Sequence, residues 1–298
     1  MKTADTNNEL ASKTILITGA TSGIGKEVAK RLLSKGHCIL VVGRSPEKIN
    51  RLVNELLSIH SNGKCQGFFA DLSRQSEVNR LSLEVDEYLN RTGNGSLDVL
   101  INNAGAVRNR YCMTEDKIEY QWAVNQMAGF LLSLNLLKNL RNGIILFTGS
   151  YSHQKAFIHW HNIGFKHRYF IFSVYRQSKL ANVMTAKAFN EKLLPLSIQS
   201  YVVDPGLVNT DIANKHTSKL IQWVWANRRK KGTDPSVPAL TYEMLIEQRP
   251  KDGLVFKNKQ PISYNRRADQ PNQYQRLCQI SEQLCHRNID TILHQLID

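Results

Sequence analysis

Short apolar stretches rich in β-branched residues alternate along the chain with longer segments in which apolar residues recur every three to four positions. The first kind predicts strands over 14–18, 38–42, 67–70, 99–102, 144–148 and 199–203, with a late strand around 254–256. The second kind predicts helices over 23–35, 46–60, 76–89, 118–140 and 175–193. Strand and helix in strict alternation imply right-handed crossovers and a parallel sheet covered on both faces. The expected fold class is α/β, a doubly wound seven-stranded parallel sheet. No repeat and no Pro/Gly-rich linker divides the chain, so a single domain over 13–298 is expected after a flexible polar leader, 1–12.

Two segments break the alternation. Residues 151–174 hold four of the nine histidines and many aromatics, Trp160 among them. Residues 211–234 hold Leu220, Ile221, Trp223, Val224 and Trp225, flanked by Lys215, Lys219 and Arg228-Arg-Lys-Lys231. Both are expected to form substrate-binding walls, with Tyr151, Trp160 and Trp223 as substrate contacts. The second pattern also suits a helix lying on a membrane surface. A lid over a lipophilic substrate is preferred, because the segment is short for stable anchoring. The run 273–285 predicts an amphipathic helix without an assigned role.

An apolar share of 42% supplies a sizeable core, and no run approaches the ~20 apolar residues that span a bilayer. The net charge is +14, of which residues 211–298, with 14 basic and 9 acidic side chains, carry only +5. The charge is therefore dispersed, and without a nucleic-acid motif it predicts no nucleic-acid partner. The five cysteines are scattered without Cys-x-x-Cys spacing, which reads as reduced thiols in a cytoplasmic protein. Of His153, His159, His161 and His167 only the middle pair is close, and no acid or cysteine completes a set, so no metal is expected.

The first strand enters the turn Thr18-Gly-Ala-Thr-Ser-Gly-Ile-Gly25. Gly19 permits the tight turn, Gly23 lets the backbone approach a pyrophosphate, and Gly25 lets helix and strand pack closely. With Thr21, Ser22 and Ile24, they place a helix N-terminus against the phosphates. At the end of the second strand stands Gly43-Arg-Ser45 and no acid. A carboxylate there would hold a ribose 2′-hydroxyl; Arg44, helped by Ser45, suits a 2′-phosphate instead. The expected cofactor is therefore NADP(H), preferred over NAD(H). Asp71-Leu72 follows the third strand, where the carboxylate can accept the adenine amino group. The small residues of Asn102-Asn103-Ala104-Gly105 let the chain pass beneath a ribose or nicotinamide. Asn102 has two readings, a tie between strands and a ligand contact.

These motifs, with Asn125, Ser150, Tyr175-x-x-x-Lys179 and Pro205-Gly206, resemble the classical short-chain dehydrogenase/reductase family over roughly residues 12–260. Ser178-Lys-Leu-Ala-Asn182 and the long gap from Ser150 to Tyr175 are similar to its retinol-dehydrogenase/carbonyl-reductase branch. The resemblance implies a single-domain Rossmann-type fold and interconversion of an alcohol with an aldehyde or ketone. It also implies a water-binding relay role for Asn125, and a loop over the nicotinamide from Pro205 and Gly206 in which Val208 and Thr210 hold the carboxamide. Asp204 fits a loop cap or a ligand. The chemistry accounts for the residue types: a carbonyl that accepts hydride needs a proton, and a free tyrosine, with a pKa of about 10, is a poor base near neutrality. Lys179, one turn from Tyr175, is expected to lower that pKa and to reach the nicotinamide ribose, while Ser150 holds the substrate oxygen. The expected partner is a fairly large lipophilic carbonyl or alcohol, and oligomeric state is left open. The competing reading is a non-catalytic NADP(H)-binding scaffold; loss of a catalytic residue would favour it, and none is lost.

Overall fold

A computed structural model describes residues 12–209 and 232–297. Residues 1–11 of the expected leader lie outside them, as do Thr210 and residues 211–231 of the expected lid segment, Trp223 among them. Ser12, the last leader residue, donates to the Gly36 carbonyl at 2.8 Å.

Seven strands pair in parallel: β1 (Thr14–Thr18), β2 (Cys38–Gly43), β3 (Lys64–Phe69), β4 (Val99–Asn102), β5 (Ile144–Thr148), β6 (Gln199–Val203) and β7 (Val255–Lys257), in the spatial order β3-β2-β1-β4-β5-β6-β7. The order reverses at β1, the kind of point where a parallel sheet opens a crevice at its carboxyl edge. Side chains alternate across the sheet, so Ile15 and Ile17 belong to one core and Leu16 to the other. Helices α1 (Gly23–Ser34) and α2 (Pro46–Ile59) close the Ile15 face; α3 (Gln75–Thr92) and the long helix α6 (Ile171–Lys192) close the other.

The expected seven-stranded sheet gains an eighth strand. β8 (Gln260–Pro261) runs antiparallel to β7, joined by Asn258 and Lys259 at φ 49° and 64°. Two consecutive left-handed residues make the tight hairpin turn that favours Asn-Gly, and the Asn-Lys pair hides that signal. The helix expected over 118–140 is divided. A short α4 (Tyr120–Trp122) runs into a π-helical turn at Ala123–Met127 and then α5 (Ala128–Asn135). β3 begins at Lys64, earlier than expected, because this edge strand opens on half-exposed residues that carry little apolar signal.

Two helices, over 236–248 and 289–297, had no counterpart in the hydrophobic pattern, unlike the amphipathic helix expected over 273–285. α7 (Ser236–Gln248) packs on α1 and is buried on nearly every side, so it lacks an amphipathic stripe. The C-terminal run forms α8 (Pro271–Cys285), which packs on α6, followed by α9 (Ile289–Ile297). Tyr274, Leu277 and Cys278 of α8 enter the core, and Gln126 in the π turn donates to Ser281 at 3.0 Å. All five cysteines are free.

α8 is thus part of the main core. Leu277, 1% exposed, should lose about 2–5 kcal/mol on replacement by alanine. Urea unfolding of the Leu277→Ala chain checks this; an unchanged midpoint would show that α8 adds nothing to the cooperative unit.

Candidate active site

A cleft of about 820 Å³ opens at the carboxyl ends of the strands, a size usual for ligand sites. Its floor depends on Asn103. The Asn103 amide donates to the carbonyls of Thr18 (2.9 Å) and Gly19 (3.2 Å), and its oxygen accepts from Thr148 at 3.1 Å. One side chain therefore ties the ends of β1, β4 and β5. Its neighbour Asn102, which had two readings, points away and donates to Ser133 at 3.2 Å; the strand tie lies one residue on. The glycine turn is crowded against the same joint. A Cβ on Gly19 would lie 2.8 Å from the Ala104 Cα, and one on Gly25 would lie 2.5 Å from the Asn103 amide nitrogen. Gly19 and Gly23, at φ 67° and 57°, also hold left-handed backbone.

The N-terminus of α1 faces the cleft through Ser22, Gly23 and Ile24. Ser22 makes no capping bond and the first turn carries no acid, so the end N–H groups and the positive dipole are left for an anion. A dinucleotide pyrophosphate fits this end. Beyond it, Arg44 lines the cleft and donates to the Tyr120 hydroxyl at 2.9 Å. Ser45 also lines the cleft, and its hydroxyl caps α2 by accepting from the Lys48 N–H at 3.3 Å. Asp71 borders the cleft, with one oxygen occupied by the Ser73 N–H and hydroxyl at 3.1 and 2.8 Å. Leu72, Ala104 and Gly105 complete this wall.

Ser150, Tyr175 and Lys179 meet at the other end of the cleft. Ser150 follows β5 and heads a 3₁₀ turn, Tyr151–Lys155; the two other residues come from α6. The Lys179 ammonium donates to the Thr148 carbonyl at 2.8 Å and stands 5.7 Å from the Tyr175 ring centre. Desolvation pushes the Tyr175 phenol up to about 12, and a hydrogen bond with Ser150 pulls the other way. The expected lowering by Lys179 is not seen, because burial outweighs any charge effect and brings Lys179 itself down to about 8.

Asn125 lies behind this group rather than in the cleft wall. Its oxygen accepts from the Ala106 N–H at 2.7 Å, and its amide donates to the Ala106 carbonyl (3.1 Å) and to Ser178 (3.1 Å). The π turn thereby pins the loop after β4 to α6. Asp204 settles as a loop cap: it is 1% exposed, and one oxygen accepts from the Gly206 N–H at 2.9 Å. Pro205, Gly206 and Val208 line the cleft.

The 151–174 segment does less at the cleft than expected. Tyr151, 63% exposed, lines it with Ser152, Lys155 and Phe172. Trp160 does not, which corrects its assignment as a substrate contact. Its indole N–H donates to Gln273 at 3.2 Å and the Arg276 guanidinium lies 4.7 Å above its ring, so it docks α8. His159 is packed between Phe157 and Phe165, and His153 is fully buried with its Nδ1 2.6 Å from the Ser150 carbonyl. No group of three metal-ligating side chains occurs among the described residues. The hydrophobic pattern missed Tyr120, Val124 and Arg108, all of which line the cleft. Tyr120 and Val124 are one turn apart, a spacing that could have marked a common face.

The sequence profile of the family described as short chain dehydrogenase matches residues 13–220. Retinol dehydrogenase 11 of Homo sapiens is 30% identical over 73% of this chain and 67% of its own length. Retinol dehydrogenase 12 of Mus musculus is 26% identical over 94% of this chain and 88% of its own. Among solved structures, a short-chain dehydrogenase from Sphingobium yanoikuyae in complex with NADPH superposes with a TM-score of 0.66 at 22% identity, covering 91% of this chain and 95% of that one.

Lys179 binds its proton less tightly in the folded chain, at about 8, than an ordinary lysine near 10.4. Between those values the unfolded chain holds more protons, so the Lys179 contribution to stability rises with pH. The stability of the wild-type chain relative to Lys179→Met should increase by about 1–3 kcal/mol from pH 7.5 to 10 in urea titrations. A pH-independent difference would show that Lys179 titrates normally.

Proposed function

The chain belongs to the short-chain dehydrogenase family, an oxidoreductase family interconverting alcohols and carbonyls, and on that premise we propose an NADP(H)-dependent enzyme for a fairly large lipophilic alcohol, aldehyde or ketone. The observation that carries this reading is the joint placement of Ser150, Tyr175 and Lys179 in the cleft onto which the uncapped N-terminus of α1 opens. The α1 N-terminus and the glycine turn would hold the pyrophosphate, Arg44 and Ser45 the 2′-phosphate, and Asp71, Leu72 and Gly105 the adenosine. Lys179 would hold the nicotinamide ribose, and the Pro205–Val208 loop the carboxamide. NADP(H), when bound, supplies or takes up hydride.

The protein side of the reaction follows from the local electrostatics. Ser150 donates a hydrogen bond to the substrate oxygen and fixes its distance from Tyr175. A phenol pushed up to about 12 is protonated at neutral pH and is ready to give its proton as that oxygen becomes an alkoxide. Lys179 is cationic below about 8 and favours the phenolate left after that transfer. Asn125 acts as a positioning residue through Ala106 and Ser178. The half-exposed Leu207 and the exposed Tyr151 give the mouth apolar walls suited to a lipophilic molecule. The similarity to retinol dehydrogenases, named for a lipophilic alcohol, agrees with that substrate class.

A panel of aldehydes, ketones and alcohols assayed with both cofactors tests the reading. Tyr175→Phe should reduce kcat by at least about 100-fold while NADPH binding stays within about twofold. Turnover at the wild-type rate in that variant would contradict the role of Tyr175.

A further inference from the structure

Two guanidinium groups converge on one buried tyrosine at the Arg44 end of the cleft. The Arg44 Nη1 donates to the Tyr120 hydroxyl at 2.9 Å, and the Arg108 guanidinium lies 3.9 Å above the centre of the same ring. Tyr120 is 8% exposed and begins α4, so its ring is a fixed platform. Arg108 is also held through its backbone. Its carbonyl accepts from the Tyr169 hydroxyl at 3.0 Å and, more weakly, from the Gln121 amide at 3.4 Å. All three residues line the cleft.

The charges of this cluster are only partly balanced among the described residues: burial pushes the Glu119 carboxyl up, and the Arg108 charge pulls it back toward its ionised form. Neither arginine has a carboxylate within ion-pair distance among the described residues. The adjacent carboxylate, Glu119, is 2% exposed and already accepts from the Trp122 N–H (2.8 Å) and the Tyr169 hydroxyl (3.2 Å). The Arg108 Nε is buried and has no hydrogen-bond partner among the described residues. Stacking on an aromatic face recovers part of the cost of desolvating a guanidinium, but two like charges on one ring repel. An idle buried donor and two cations without an ion-pair carboxylate among the described residues, held at fixed positions on a ligand cleft, suit an anion with several oxygens.

We infer that Arg108 and Tyr120 are specificity-determining residues for the cofactor: Arg108 is a second guanidinium for the adenosine 2′-phosphate, and Tyr120 holds Arg44 in place for the same group. The inference rests on the NADP(H) reading and extends it from a single arginine to an arginine–tyrosine–arginine cluster. Tyr120 gives Arg44 a hydrogen-bonded position before the phosphate arrives, so less side-chain freedom is lost on binding. Arg108, anchored by its carbonyl and its ring stack, needs little rearrangement to meet a phosphate beside Arg44. A phosphate then relieves the repulsion between the two guanidiniums, whereas a 2′-hydroxyl does not. Discrimination between the cofactors therefore comes from the empty state as well as the bound one.

Calorimetric titration of the full chain with NADPH, NADH and adenosine 2′-monophosphate tests this without any turnover. Arg108→Ala should weaken NADPH and adenosine 2′-monophosphate by about tenfold and NADH by less than twofold. Tyr120→Phe keeps the ring and removes only the acceptor for Arg44, so the same selectivity should appear at about threefold. If the alanine variant does not fold, Arg108→Gln keeps much of the side-chain bulk and should show the same selective loss. Equal weakening of NADPH and NADH in the Arg108 variants, or no change in either, would overturn the inference and leave the cluster as a fastening of the 106–110 loop. Arg44→Ala separates the two layers of the argument. If it leaves the NADPH-to-NADH ratio unchanged, the NADP(H) reading itself falls. If it is selective and the Arg108 variants are not, only the present inference falls.

Discussion

The cleft depends on the meeting of three strand ends at the Asn103 side chain. Parallel strands finish with unpaired backbone groups at their carboxyl edge, and here Asn103 satisfies the Thr18 and Gly19 carbonyls while accepting from Thr148. Thr148 carries the joint further, because its hydroxyl also meets Tyr242 of α7 at 2.7 Å and its carbonyl receives the Lys179 ammonium. The glycine turn, the Ser150 turn and the long helix α6 are thus set relative to one another by one polar network. The close approach of Gly19 and Gly25 to this joint explains why neither position has room for a Cβ. The glycine turn at one end and the Ser150, Tyr175 and Lys179 group at the other are held at a fixed spacing.

Burial rather than charge sets the resting electrostatics. Desolvation drives Tyr175 toward its neutral form and Lys179 toward deprotonation, so both groups sit far from their values in water. At neutral pH the chemical end therefore sets a neutral phenol beside the Lys179 ammonium. The Arg44 end carries two guanidiniums that have no ion-pair carboxylate among the described residues.

Most of the sheet could be read from the chain because each buried strand is a short β-branched run between turns. The helices α1, α2 and α3 carried clear apolar stripes, each with one face on the core. The readings that failed did so where tertiary contacts replace local pattern. The π turn around Asn125 forms because its amide reaches Ala106 and Ser178, residues distant in sequence. α7 is enclosed on nearly all sides and shows no period. The grouping of Ser150, Tyr175 and Lys179 in one cleft was legible from the family resemblance together with their order along the strands and helices. Trp160 misled because an aromatic in a loop beside the site carries no sign of direction; its partner helix lies more than one hundred residues on. Arg108 and Tyr120 read as ordinary loop and helix residues until the fold brought them against Arg44.

The direct test of the central claim, that the Asn103 joint assembles the cleft, is the NADPH affinity of the Asn103→Ala chain, titrated alongside its thermal midpoint. Losing the amide leaves the Thr18 and Gly19 carbonyls without their donor and frees the glycine turn from β4. The account predicts at least a tenfold weakening of NADPH with a lowered midpoint. Wild-type affinity in a chain that has lost this side chain would contradict it.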